Sequence, residues 1–163
     1  CRPVYCVPAT RKRDKMTRGF SSIAVDSPKN VENIGGILRA AGNFGSSLVV
    51  LGSSRAEVRH CADTMKAYRH IPVVRVDDVF DAIPFDTVPI AVDIIEGAIP
   101  LPGYVHPERA FYIFGGEDLT LEARITDRCR DVVFVPTNRC MNLAACVNVV
   151  LYDRAVKRGF ETV

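Results

Sequence analysis

Short apolar runs alternate along this chain with helix-like runs, and that order leaves few folds open. The strand-like runs are Ser22–Val25, Leu48–Leu51, Pro72–Val76, Pro89–Ile95, Ala110–Phe114 and Val132–Val135. The intervening pattern predicts helices over Asn30–Phe44, Cys61–Tyr68, Asp77–Ile83 and Leu121–Arg128, and a last one over Asn142–Lys157. The first of these sets Val31, Ile34, Leu38 and Ala41 on one face, with Asn30 as N-cap and Gly45 as stop. Glu96–Arg109, which carries Pro100, Pro102 and Pro107 beside Gly97 and Gly103, reads as loop. Strands joined through helices lie parallel rather than in hairpins. The expected fold is therefore α/β, a mostly parallel sheet with helices on both faces. Leu143–Leu151 is apolar nearly all round, so the last helix is expected to be buried on more than one side, with a second copy of the chain against it.

The 163 residues suit one domain, large enough to bury a core without staples. With 48% hydrophobic and 25% charged residues the chain is neither disordered nor fibrous. No apolar run approaches the ~20 residues of a membrane span. The basic start is followed by no apolar stretch, so it does not read as a secretory leader. Charge is unevenly placed. Residues 1–18 hold six Lys/Arg (Arg2, Arg11, Lys12, Arg13, Lys15, Arg18) against Asp14, whereas the rest holds fifteen basic and eighteen acidic residues. A basic arm over 1–18 on a near-neutral domain over 19–163 suits a polyanionic partner. Six cysteines show neither a C-x-x-C pair nor zinc spacing, so reduced thiols in a cytoplasmic protein are expected, and no metal. His60, His70 and His106 are scattered and suggest no catalytic grouping.

Chemistry gathers in three segments, Ser27–Gly45, Phe114–Glu122 and Val135–Asp153, each beyond the carboxyl end of a predicted strand. Open α/β sheets bind ligands there. In the first, Asn33 and Arg39 straddle Gly35-Gly36 inside a helix. Each glycine costs about 1 kcal/mol relative to alanine, which a close approach by a ligand, a helix or the sheet would offset. Neither a phosphate-binding G-x-x-x-x-G-K-[ST] nor a G-x-G-x-x-G occurs, and there is no G-x-S-x-G elbow. An ATPase, a dinucleotide enzyme of the common type and a serine hydrolase are thereby disfavoured.

Taken together, N-I-G-G-I-L-R-x-A-x-x-F-G, then F-G-x-E, then V-P with N-L-A and V-V-L-Y-D, resemble the three motifs of the SpoU/TrmH family of SPOUT RNA methyltransferases. The resemblance runs from about Ser22 to about Arg158. It implies a C-terminal trefoil knot, homodimerisation, S-adenosylmethionine (SAM) held in the knot, and methyl transfer to a ribose 2′-hydroxyl of RNA. It also implies functional roles for Asn33, Arg39, Glu117 and Asn142, and cofactor contacts from Val92, Gly115, Val135, Cys140 and Met141. Small family members without a separate RNA-recognition domain tend to act on tRNA, so tRNA is favoured over rRNA.

The sequence departs from the family pattern in three places. Thr120 stands where a glycine is usual, the stretch from Pro136 to Cys140 is short and lacks its glycine, and Cys140 replaces a serine. They leave open a catalytically silent RNA-binding protein of the same fold. A small-molecule enzyme using the same crevice is the other alternative. For the methyltransferase reading, Arg39 is better suited to clamp a phosphate and hydrogen-bond the developing alkoxide than to act as base, because guanidinium stays protonated. Glu117 would orient Arg39 or Asn33, or serve as the base, and Asn142 would cap the last helix and bind substrate.

Overall fold

The computed structural model describes residues 19–53, 69–117 and 120–159. The basic arm, the helix expected over Cys61–Tyr68, His60, Cys1, Cys6 and Cys61 lie outside them. Among the described residues, seven strands form one sheet: β1 (Phe20–Val25), β2 (Leu48–Gly52), β3 (Val73–Val76), β4 (Val88–Val92), β5 (Ile99–Pro100), β6 (Arg109–Phe114) and β7 (Asp131–Phe134). Their order is β3-β2-β1-β6-β4-β7-β5, and every pairing is parallel. The α-helices are α1 (Val31–Asn43), α2 (Ala123–Thr126) and α3 (Leu143–Arg158). No helix among the described residues is long and apolar enough to cross a membrane.

Successive strand residues point to opposite faces, and both faces are apolar, as a sheet covered on both sides requires. Ile23, Val25, Tyr112 and Phe114 pack under Ile34, Ile37 and Leu38 of α1 and under Val147, Val150 and Leu151 of α3. Ala24, Phe111 and Ile113 pack on the other face, under Val79 and Phe80 of a 3-10 turn (Val79–Ala82) and Ile125 of α2. The expected two-faced arrangement is therefore present. Gly36 explains one of the helical glycines: a Cβ built there would stand 2.7 Å from Ala144 Cβ, so α1 and α3 cross at this point.

Three expectations change. Pro89–Ile95 stops as a strand at Val92, because the Asp93 carboxylate accepts from Ile94 N (2.7 Å) and Leu121 N (2.6 Å) and turns the chain. The loop read over Glu96–Arg109 contains the two-residue edge strand β5; Pro100 is tolerated at an edge, where no further ladder bond is needed. The helix read over Leu121–Arg128 is only one turn, since Leu121 N is committed to Asp93 and the Glu122 carboxylate goes to Arg124 Nε (2.8 Å) instead of capping.

Within one chain α3 is buried along a single side, formed by Val147, Val150, Leu151 and Arg154, while Tyr152 and Val156 are about half exposed. Arg154 donates to the carbonyls of Pro107 (2.7 Å), Glu108 (2.7 Å) and Phe20 (3.2 Å), tying the helix to the starts of β1 and β6.

Candidate functional site

The carboxyl ends of β4, β6 and β7 open into one cavity of about 770 Å³. That volume and place are those of a small-molecule site in an open α/β sheet. Val92, Gly115, Val135, Cys140 and Met141, the five residues expected around the cofactor, all line it. Glu117 and Asn142 line it too. Two of the walls have structural causes. Gly116 allows the β6 end to cross the β1 end: a Cβ there would meet Ser27 O at 2.5 Å and Asp26 O at 3.0 Å. Ser27 itself sits at φ 52°, in the left-handed region.

A chain of hydrogen bonds joins the three motif segments at the rim. The Glu117 carboxylate accepts from Asn33 Nδ2 (2.6 Å), Lys29 N (2.9 Å) and Asn30 N (3.2 Å). Asn142 Nδ2 donates to Asn33 Oδ1 (2.9 Å), and Asn142 Oδ1 accepts from Ala144 N (3.0 Å) and Ala145 N (3.3 Å), capping α3. Asn30 Oδ1 accepts from Glu32 N (2.8 Å), so the N-caps of both long helices belong to this region. Partial burial opposes the charge on Glu117, but the donors from Asn33, Lys29 and Asn30 outweigh it and hold the carboxyl below its usual range. A carboxylate so held is a weak base and a strong anchor. The geometry therefore makes Glu117 an orienter of Asn33. Arg39 lies six residues further along α1 and is exposed.

Asp93 lines the cavity and is outside the set expected from sequence, as are Ile94, Thr137 and Cys146. An acidic residue directly after an apolar strand was the available signal, and it was hidden by running that strand on to Ile95. Cys146 also lines the cavity, and burial pushes its thiol up to about 11, which leaves it unreactive. Cys129, Cys140 and Cys146 are free thiols. His106 lies away from the cavity, buried between Tyr112 Oη (2.6 Å) and the Asp153 carboxylate (2.8 Å), and burial lowers its pKa. His70 is exposed. Among the described residues no group of three or more His, Cys, Asp or Glu could hold a metal.

An all-parallel open sheet with a nucleoside-sized cavity at its carboxyl edge defines an α/β protein built to hold a small cofactor. The SpoU rRNA Methylase family model matches residues 21–152, and the chain belongs to that family. No curated protein sequence matches it. Among solved structures, the SpoU methyltransferase AviRb from Streptomyces viridochromogenes, in complex with AdoMet, is similar at 21% identity and TM-score 0.75, over 86% of this chain and 61% of that one. The TrmH/SpoU tRNA modifying enzyme from A. aeolicus is similar at 14% identity and TM-score 0.72, over 85% and 75%. A structure described as giving insights into the 2-OH methylation of C/U34 on tRNA is similar at 18% identity and TM-score 0.73, over 85% and 91%. The chain spans about six-tenths of AviRb, and at these identities the likenesses bear on the fold.

Proposed function

We propose that the chain is a SAM-dependent RNA methyltransferase acting on a ribose 2′-hydroxyl, tRNA in preference to rRNA, as a cytoplasmic homodimer. The observation that carries this reading is the convergence of Val92, Gly115, Val135, Cys140 and Met141 on one cavity, with Glu117, Asn33 and Asn142 joined at its rim. The residues fit SAM. Val135, Met141 and Leu143 offer an apolar wall for a nucleobase, Gly115 lines the cavity without a side chain, and the Asp93 and Glu117 carboxylates suit a cationic group. When bound, SAM supplies an electrophilic methyl group on a sulfonium.

The chain's own contribution is positioning. Bringing the hydroxyl in line can supply about 7–11 kcal/mol, more than stabilisation of new charge can when charge is being neutralised. Glu117 fixes Asn33 and, through it, Asn142, which lines the cavity from the N-cap of α3. Exposed Arg39 clamps a substrate phosphate and hydrogen-bonds the forming alkoxide. The preference for tRNA draws on the likeness to the structure described as giving insights into the 2-OH methylation of C/U34 on tRNA. Tyr152 and Val156, half exposed on α3, are the surface for the second protomer. The resemblance further implies that the C-terminal part is knotted.

Labelled methyl transfer from SAM to unmodified tRNA and, separately, to unmodified rRNA tests the reading, with the product mapped by nuclease digestion. A 2′-O-methylated tRNA nucleotide is expected. A methylated base would overturn the ribose assignment, and RNA binding without transfer or SAM binding would favour the silent RNA-binding protein.

A further inference from the structure

The rim of the cavity carries two cations that no described carboxylate pairs with. Most basic side chains elsewhere are held. Arg109, Arg124, Arg128, Arg130, Arg154 and Lys157 each donate to a carboxylate or a backbone carbonyl. Lys29 and Arg139 differ. Both are exposed, and among the described residues neither side chain makes an ion pair or a hydrogen bond. Their backbones, by contrast, are fixed: Lys29 N donates to the Glu117 carboxylate (2.9 Å), and Arg139 O accepts from Thr137 Oγ1 (2.8 Å). An exposed, unpaired cation adds little to the stability of a fold. One carried on an anchored backbone loses less entropy when a ligand takes it up.

The two belong to the segments that meet at the site. Lys29 precedes Asn33 on the way into α1, Arg139 precedes Asn142 on the way into α3, and Asn142 Nδ2 donates to Asn33 Oδ1 (2.9 Å). Glu117, which accepts from both Lys29 N and Asn33, lines the cavity, as do Thr137 and Cys140 beside Arg139. Lys29 and Arg139 themselves are outside that lining, so they flank the mouth rather than the floor. Their surroundings suit an anion. From Val132 to Tyr152, Arg139 is the only charged residue. The Glu117 oxygens next to Lys29 are taken by Asn33 and two backbone N–H groups. Ammonium is a compact donor and guanidinium a forked one, and both match phosphate oxygens.

We propose that Lys29 and Arg139 bind backbone phosphates of the RNA strand that enters the cavity, two contacts beyond the one assigned to Arg39. This rests on the RNA-methyltransferase reading above and names the residues that hold its substrate at the mouth. Phosphate contacts position a strand without reading its sequence. Removing one lowers the slope of log affinity against log salt by about 0.7–0.9, the range from single strands to duplex.

The experiment titrates the full chain with unmodified tRNA and with unmodified rRNA across a salt series, and with SAM at one salt concentration. The variants are Lys29→Gln, Arg139→Gln and the pair, which keep both backbone bonds. The control is Arg69→Gln, an exposed cation on the amino side of β3, away from the cavity. For the RNA bound more tightly, each single variant should lose about 0.7–0.9 from the slope and the pair about twice that. Arg69→Gln should keep the parent slope, and SAM affinity should be unchanged throughout. A parental slope in either single variant, or the same fall in Arg69→Gln, overturns the two-cation clamp while leaving RNA binding intact. A loss of SAM affinity also overturns it, by assigning the cations to the cofactor's carboxylate. Failure of the parent chain to bind either RNA overturns both readings, and retained SAM binding in that case shows the protein is folded.

Discussion

Replacing Asn142 by alanine removes two interactions made by one side chain. Its Oδ1 caps α3 by accepting from Ala144 N and Ala145 N, and its Nδ2 donates to Asn33 Oδ1. Loss of an N-cap costs about 0.5–2 kcal/mol. An orphaned buried acceptor costs about 1–3 kcal/mol. Asn33 is only 7% exposed, but Asn142 is exposed, so truncation admits water to Asn33 Oδ1 and sets the second cost near its lower end. The sum is about 2 kcal/mol. Asn142→Ser keeps a capping oxygen and loses only the bond to Asn33, so about half that loss is expected. Urea unfolding at pH 7, followed by far-UV circular dichroism at fixed protein concentration, measures both. Equal stabilities for the alanine and serine variants, or a loss below about 0.5 kcal/mol for alanine, would refute the double role.

Other perturbations follow from the same geometry. Gly36→Ala brings its Cβ within 2.7 Å of Ala144 Cβ, and overpacking of about 1–3 kcal/mol should exceed the helix-propensity gain of about 1 kcal/mol. Ala144→Gly on that background should restore part of the stability in the same unfolding assay. Burial lowers the His106 pKa from its ordinary 6.5, against the pull of Asp153, so the unfolded chain binds the proton first as pH falls. Stability should then fall as pH drops below about 6.5, and His106→Gln should flatten that slope between pH 7 and 5; an unchanged slope would exclude His106 as its source. Glu117 acts in the same direction in a lower window: its contribution is present above its ordinary 4.5 and is lost as pH falls through the lowered value. Arg39→Ala should abolish methyl transfer with SAM affinity kept, and full activity would remove Arg39 from the mechanism.

The sheet was legible because its strands are apolar on both faces. Ile23 and Val25 serve one core and Ala24 the other, so the runs stand out without alternation. Asn30 and Asn142 were legible as caps because an amide before an apolar periodic run has few other uses. β5 was not legible, since two residues at an edge leave no pattern, and neither was the early end of β4, which depends on a hydrogen bond to Leu121, far along the chain. Gly36 was readable as a close approach but not as to which partner; only the crossing with Ala144 decides that. At the site, resemblance grouped residues that spacing could not. Asn33, Glu117 and Asn142 are separated by 84 and 109 positions in their two hydrogen-bonded pairs, and only the parallel crossovers bring them together. Arg39 is placed by its position on α1, where it is exposed. The structure changed the standing of Glu117, whose donors make it an anchor and leave little room for a base.

The most direct measurement is a calorimetric titration of SAM into the parent chain and into Gly115→Val, which adds a β-branched side chain at a residue that lines the cavity. Saturable binding of one SAM per chain by the parent, abolished in a Gly115→Val variant that keeps the parent's far-UV spectrum, is the predicted result. Undetectable binding by the parent, or equal binding by the folded variant, would contradict the assignment of this cavity to the cofactor.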